Sequence, residues 1–168
     1  MVFGRGDQAL KVVNRSVTES PRQQLAGLLA KYSPEVERLA KAVLRKLRAR
    51  LPGATELVYD NYNALAIGFA PGERASECVF SIALFPRWVS LFFFEGCHLP
   101  DPEGLLKGSG KHVRHIVLQS AADLDRPAVR ALMAHALKIA DPPIPASGRG
   151  RIVIKSVSAK QRPRRPRT

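Results

Sequence analysis

Cysteines, acidic residues and long apolar runs are all scarce in this chain of 168 residues. Its two cysteines, Cys78 and Cys97, are too few for the disulfide framework of a small secreted scaffold, so we expect reduced thiols and a cytoplasmic protein. No run approaches the roughly 18 apolar residues that a membrane-spanning helix needs. The first residues lack the continuous apolar segment of a secretory signal, which excludes that class of leader.

Residue sets that carry catalysis or bind metal are also missing from the sequence. The fourteen acids are scattered and show no paired carboxylates. His112 and His115 are three residues apart, which on a strand places them on opposite faces. Cys97 and His98 are neighbours but have no second pair at zinc spacing. We therefore expect no catalytic residue, no metal site and no cofactor.

Basic residues are abundant, and many of them lie near the C-terminal end. The chain has 27 Lys and Arg against 14 Asp and Glu, a formal net charge of +13. Residues 147–168 contain basic side chains and no acid. Such a segment attracts phosphate polyanions without sequence preference, although a solvated, disordered end that serves solubility is the alternative. The candidate contacts with nucleic acid are Arg162, Arg164, Arg165 and Arg167.

The pattern of apolar residues divides the chain into three parts. Residues 1–19 show no sustained period and are predicted to be a flexible leader. Residues 20–140 alternate helical and strand-like patterns and are predicted to form one domain. Residues 141–168 are predicted to be a Pro/Gly-rich linker and a basic tail, in which Ile152–Ile154 is either a further strand or part of the linker.

Three helices are predicted, two from Ser-Pro pairs and one from an apolar stripe near the C-terminal end. Ser20-Pro21 and Ser33-Pro34 combine a good N-cap with proline at the first helical position. Apolar residues then recur at i, i+3, i+4 and i+7 over 36–51, which predicts an amphipathic helix with a basic opposite face. That basic face is either solvated or in contact with RNA or a membrane surface. A second stripe over 129–140 predicts a C-terminal helix.

Strand-like runs lie between the helices. They are rich in β-branched and aromatic residues and are bounded by turn residues, at 55–59, 64–70, 78–85, 88–94 and 113–118. The runs follow one another too closely for helical crossovers. The sequence therefore predicts an α+β fold, with an antiparallel sheet of about five strands flanked by N-terminal and C-terminal helices.

The predicted hairpin around Pro86-Arg87 has two unlike faces. A two-residue turn would pair Phe85 with Trp88, and one face would then be uniformly large and apolar, as expected beneath helices. The other face combines small residues with aromatic rings and would form an apolar groove covered by a ligand, a second subunit or the protein's own loop. The candidate ligand-binding residues on and near this groove are Trp88, Phe92, Phe94, Lys111 and Arg114.

A polar island at Tyr59–Asn63 separates two apolar runs. Asp60 and Asn61 are residue types that favour turns, and a turn is the interpretation that we prefer. A catalytic role would require Asp60 and Tyr62 to meet Lys111 or Arg114 within hydrogen-bond reach.

Four segments carry a family resemblance. They are Tyr32-Ser33-Pro34-Glu35-Val36, Glu56-Leu57-Val58-Tyr59-Asp60, the hairpin 85–94 and the run LLKGSGKHVR at 105–114. Together they resemble the bacterial YdhG-like domain family over about two-thirds of the chain. The resemblance implies an α-β-α architecture similar to frataxin and YjbR. Most members have no assigned function, and a few are linked to iron delivery.

Two functions are therefore expected. The first is a non-enzymatic cytoplasmic binding domain of unknown ligand, whose basic tail captures an anionic partner such as nucleic acid. The alternative, implied by the resemblance, is an iron-delivery protein of frataxin type. That alternative is weakened because frataxin-type iron binding uses an acidic first helix, whereas this one carries Arg38, Lys41 and Arg45.

Overall fold

The computed structural model describes residues 18–167, in which three α-helices pack on a six-stranded sheet. The helices are α1 (Pro21–Leu29), α2 (Pro34–Arg50) and α3 (Pro127–Ile139). The strands are β1 (Thr55–Asp60), β2 (Leu65–Ala70), β3 (Phe80–Leu84), β4 (Val89–Phe93), β5 (Arg114–Leu118) and β6 (Arg151–Val157). Short 3₁₀ turns lie at Ala75–Glu77, Gly96–His98 and Ala121–Asp125. Most of the predicted leader lies outside the described residues.

The sheet confirms the α+β class but corrects its predicted composition. The strand order is β5-β4-β3-β2-β1-β6. The strands from β1 to β5 are antiparallel neighbours, whereas β6 pairs with β1 in parallel. The sheet is therefore mixed and has six strands instead of a purely antiparallel five. The connection from β1 to β6 includes four strands and α3, so it is long enough for the crossover that a parallel pair requires.

The register predicted for the central hairpin is confirmed. Ser81 pairs with Phe92, and the backbone N–H of Phe85 donates to the Trp88 carbonyl at 2.9 Å. Because side chains alternate between the two faces of a strand, this register decides which residues face the helices.

The three helices pack on one face of the sheet. Phe80, Ile82 and Phe93 are fully buried on that face, in a single apolar cluster with the inner residues of α1, α2 and α3. The rings of Phe80 and Phe93 meet edge to face, with centroids 5.6 Å apart. Trp88 lies outside this cluster and is 42 % exposed, so the tryptophan-bearing face is not beneath the helices.

Tyr32 links the helical layer to the sheet. Its buried hydroxyl donates to the Leu84 carbonyl and accepts from the Leu65 backbone N–H, each at 3.0 Å. Two backbone groups at the ends of β2 and β3 are thereby satisfied away from water. Burial raises the pKa of this phenol.

The C-terminal segment reaches β6 by passing over the end of α2. A side-chain carbon placed at Gly53 would lie 2.2 Å from the Pro145 carbonyl oxygen, so only glycine allows this approach. Residues 151–157 then form β6 along the edge of β1, so Ile152–Ile154 belongs to a further strand, which is one of the two alternatives that the sequence left open.

None of the helices within residues 18–167 has the length and apolar character needed to cross a membrane.

Candidate functional site

A cavity of about 640 Å³ opens at the end of the sheet where β3 begins and β4 ends. Its apolar wall includes Val79, Phe94 and Ile139, so it combines the start of β3, the end of β4 and the last turn of α3. Cavities of roughly 300–1,000 Å³ with apolar walls and a few polar groups are typical of small-molecule sites.

The polar lining of the cavity is acidic and imidazole-rich. Its carboxylate and imidazole lining residues are Glu77, Glu95, Asp141, His98 and His112, and no lysine or arginine lines it within the described chain. The protein has a net charge of +13, but the lining of the cavity concentrates three carboxylates. A ligand with a positive charge or hydrogen-bond donors is favoured there by Coulomb attraction.

Cys78 forms part of the wall but is chemically inert. Burial raises the pKa of its thiol to about 11, so the sulfur stays protonated near neutral pH. A side-chain carbon at Gly68 would lie 2.7 Å from the Cys78 sulfur, so the glycine provides the space that this thiol occupies.

Four potential metal ligands meet at the rim of the cavity. Glu95, Cys97, His98 and His112 each place one ligand atom within 4.8 Å of all the others. No metal site was predicted, because His112 was compared only with His115 and Cys97-His98 had no second pair at zinc spacing; a Gly- and Pro-rich loop separates Cys97-His98 from His112 in the sequence. The signal that could have revealed the cluster is that these residues lie at the two ends of that loop, next to strands that pair with each other.

The five predicted ligand-binding residues do not form one groove. Phe94 lines the cavity, and the ring of Phe92 packs at a tilt against that of His115, with centroids 5.2 Å apart. Trp88 stacks on Phe85 at 4.8 Å, at the other end of β4 and roughly 20 Å of strand from Phe94. Small residues such as Ala83 and Ser90 lie on this face between the two ends of the hairpin, as the alternation predicted, so Trp88 is too far from Phe94 to enclose one small ligand with it.

The two predicted basic residues are also outside the cavity. Lys111 is exposed, and the Arg114 guanidinium donates to the carbonyls of Gly110 and Val113, at 2.5 and 2.8 Å. Arg114 therefore stabilises its own loop. Neither residue lines the cavity that Phe94 helps to form.

One of the predicted nucleic-acid contacts lies in the protein interior. Arg164 is 5 % exposed and donates to the Asp60 carboxylate, itself 1 % exposed, at 2.8 Å. Gln161 donates to the other carboxylate oxygen, and Lys31 approaches it at 3.5 Å. A buried guanidinium already paired with a carboxylate is not free to bind phosphate, so Arg164 anchors the segment after β6.

The other tail arginines are on the surface, and two of them contact the domain. Arg162 lies over the Tyr62 ring at 5.6 Å, a cation–π geometry. Arg165 donates to the carbonyls of Ala30 and Lys31, which follow the C-terminal end of α1, where a cation complements the helix dipole. Arg167 is exposed. The segment is therefore fastened to the domain through residue 165.

The topology separates the groups of the catalytic hypothesis. Asp60 and Tyr62 lie at the end of β1, whereas Lys111 and Arg114 precede or begin β5. These strands are four positions apart in the sheet, about 19 Å at the usual spacing. Asp60 is also at the end of the sheet opposite to Arg114. These side chains therefore cannot share one catalytic site.

A second concave surface is basic. It lies between α1, α2 and residues 148–152, which lead into β6. Its basic lining residues are Arg22, Lys41, Arg45, Arg48, Arg149 and Arg151. Among the described residues that line this surface there is one carboxylate, Glu56, and it already accepts two hydrogen bonds from the Arg48 guanidinium, both at 2.8 Å.

We compared the chain with protein-family models, with curated proteins and with solved structures, and none of the three comparisons gave a match.

Proposed function

We propose that this protein is a non-enzymatic, cytoplasmic binding domain whose cavity at the end of β3 and β4 takes a small ligand. The observation that carries the proposal is the combination of an apolar wall with a rim of carboxylates and imidazoles in a volume of about 640 Å³. The wall suits an apolar body, and the rim suits a cationic or hydrogen-bond-donating end.

The helical layer offers little to the iron-delivery alternative. The acids of the first turn of α2 are Glu35 and Glu37, and Glu37 is paired with Lys41 at 2.5 Å. Hard cations prefer several clustered oxygen ligands, which this helix does not present. The cavity therefore supports ligand binding better than α2 supports iron transfer.

A charge placed on the cavity wall tests the proposal. Ile139 lines the cavity and is 41 % exposed, so Ile139→Asp removes apolar wall without opening the core. We expect the affinity for the neutral fluorophore N-phenyl-1-naphthylamine to fall about tenfold, which corresponds to roughly 1.4 kcal/mol of lost contact. The measurement is a fluorescence titration of the full chain.

Val157→Asp is the matched control, because Val157 is a similarly exposed apolar residue on β6, away from the cavity. We expect its affinity for the fluorophore to equal that of the unaltered protein. Equal weakening by both substitutions, or no binding by the unaltered protein, would contradict the cavity as the site.

A second candidate function is capture of a polyanion by the basic surface between α1 and α2. Arg22 lines both of the concave regions that meet there, and Arg45 and Arg149 add further positive charge. Because Arg164 is buried, this surface supports the anionic partner better than the tail alone does.

Salt dependence distinguishes the basic surface from the tail. For a single-stranded RNA, the slope of log affinity against log salt should become shallower by about 0.7 for each phosphate contact removed. We expect a reduction of about 1.4 in the double variant Arg22→Gln and Arg45→Gln, measured by fluorescence anisotropy. The matched control is Arg162→Gln with Arg167→Gln, and an equal or larger reduction in that pair would assign the contact to the tail.

A further inference from the structure

The segment that follows β4 gathers three metal-ligating side chains in one turn. Glu95, Cys97 and His98 lie in or beside the 3₁₀ turn Gly96–His98, and His112 approaches from the residues that precede β5. The Glu95 carboxylate is 3.4 Å from His112 Nδ1 and 3.6 Å from His98 Nε2. With metal bonds of about 2.0–2.3 Å, the ligand atoms of a tetrahedral zinc site are roughly 3.3–3.8 Å apart. Two of the ligand pairs therefore already have suitable separations.

The backbone holds the turn against the start of β5. The Cys97 N–H donates to the His112 carbonyl at 2.9 Å, which joins the two ligand-bearing segments directly. The His98 N–H donates to the Glu95 carbonyl at 3.0 Å and closes the turn. A side-chain carbon at Gly96 would lie 2.5 Å from the Arg114 Cβ, so glycine is required for this approach. These backbone contacts hold the two segments together, and the four ligand atoms lie within 4.8 Å of one another.

The donor set selects the class of metal. Two imidazoles, one thiol and one carboxylate provide two nitrogens, one sulfur and one oxygen. This mixed set is typical of Zn²⁺, whereas Mg²⁺ and Ca²⁺ prefer oxygen ligands. Cys97 is exposed, while Cys78 is buried and holds a protonated thiol, so Cys97 is the sulfur that can ligate.

We propose that Glu95, Cys97, His98 and His112 form a tetrahedral Zn²⁺ site at the rim of the cavity. Glu95, His98 and His112 also line the cavity, whereas Cys97 does not. The metal would therefore be bound between the cavity and the loop that precedes β5. The proposal goes beyond ligand binding in the cavity and does not depend on it.

Cobalt substitution tests the sulfur ligand directly. Metal-free full-length protein is titrated with Co²⁺, and we expect one ion per chain with a thiolate-to-cobalt charge-transfer absorption in the near ultraviolet. Cys97→Ser should abolish this absorption, and Cys78→Ser is the matched control that should retain it. No absorption in the unaltered protein, or an undiminished absorption in Cys97→Ser, would overturn the site.

Zinc affinity tests the imidazole ligands. His112→Ala should weaken Zn²⁺ binding by more than the roughly 10–100-fold that is lost when a residue hydrogen-bonded to a metal ligand is removed. Competition with a chelator measures the affinity. His115→Ala is the matched control, because His115 packs against Phe92 and is not part of the cluster. Equal affinities in these two variants would overturn the proposal, as would the absence of tight binding by the unaltered protein.

Two further measurements separate folding and cavity effects from metal binding. Glu95→Gln is a conservative change at a side chain that is 57 % exposed, so it should weaken Zn²⁺ binding while leaving the far-ultraviolet circular dichroism unchanged. Unchanged Zn²⁺ affinity in Glu95→Gln removes the carboxylate from the set and contradicts the four-ligand site. Metal-free Cys97→Ser should bind N-phenyl-1-naphthylamine normally, so failure of the zinc site and failure of the cavity give different results.

Discussion

Replacement of Arg164 by methionine is expected to lower the free energy of unfolding by about 3 kcal/mol. The substitution leaves the Asp60 carboxylate, 1 % exposed, without its guanidinium partner. Breaking a buried ion pair by removing one member costs about 3–5 kcal/mol, because the remaining charge is buried and uncompensated. The lower end of this range applies here, since Gln161 and Lys31 still reach the same carboxylate. Urea denaturation followed by circular dichroism measures the change.

The matched control for Arg164 is Arg167, an exposed arginine of the same segment. Arg167→Met should change the free energy of unfolding by less than about 0.5 kcal/mol. Asp60→Asn combined with Arg164→Met should cost less than the sum of the single changes, with a coupling of roughly 0.5–3 kcal/mol. Additive effects, or equal effects of the two arginine substitutions, would show that the pair does not hold the segment.

Replacement of Phe93 by alanine is expected to cost about 3–5 kcal/mol of stability. Phe93 is fully buried between the sheet and the helices and meets Phe80 edge to face. Its truncation removes a large apolar contact and leaves a cavity that the packed helices can close only in part. Thermal and urea denaturation both measure this loss.

The adjacent residue supplies the control for Phe93. Phe92 lies on the opposite face of β4, is half-buried and packs against His115. We expect Phe92→Ala to cost only about 1–2 kcal/mol, because less apolar surface is buried there. Equal losses in the two variants would contradict the assignment of the helices to one face of the sheet.

Local chemistry explains which parts of the fold could be predicted from the sequence. The Ser33 hydroxyl caps α2 by accepting from the Val36 N–H, as the Ser-Pro pair predicts. The hairpin register follows from a two-residue turn and strict alternation. Both features depend on residues close together in the chain, so a single sequence contains the necessary information.

The site depends on contacts that span long stretches of sequence. The approach of His112 to Glu95 requires the intervening loop to fold back. The contact of Gly96 with Arg114 depends on the pairing of β4 with β5, so the sequence around Gly96 does not reveal it. Arg164 likewise lies in a basic segment whose composition is typical of an exposed tail. It is buried because it pairs with Asp60, which is distant in the sequence. Tertiary contacts therefore override the local interpretation at both places.

The parallel pairing of β6 with β1 has a consequence for how the protein acquires its structure. Partners such as Thr55 and Arg151 are roughly a hundred residues apart along the chain, and contacts of such wide separation form slowly because a large loop must close first. Until the last strand arrives, the polar backbone groups of β1 form an open template for strands of other molecules. Because residues 151–157 are synthesised after β1 to β5, the order of synthesis leaves this edge of the sheet unpaired until the last strand is made.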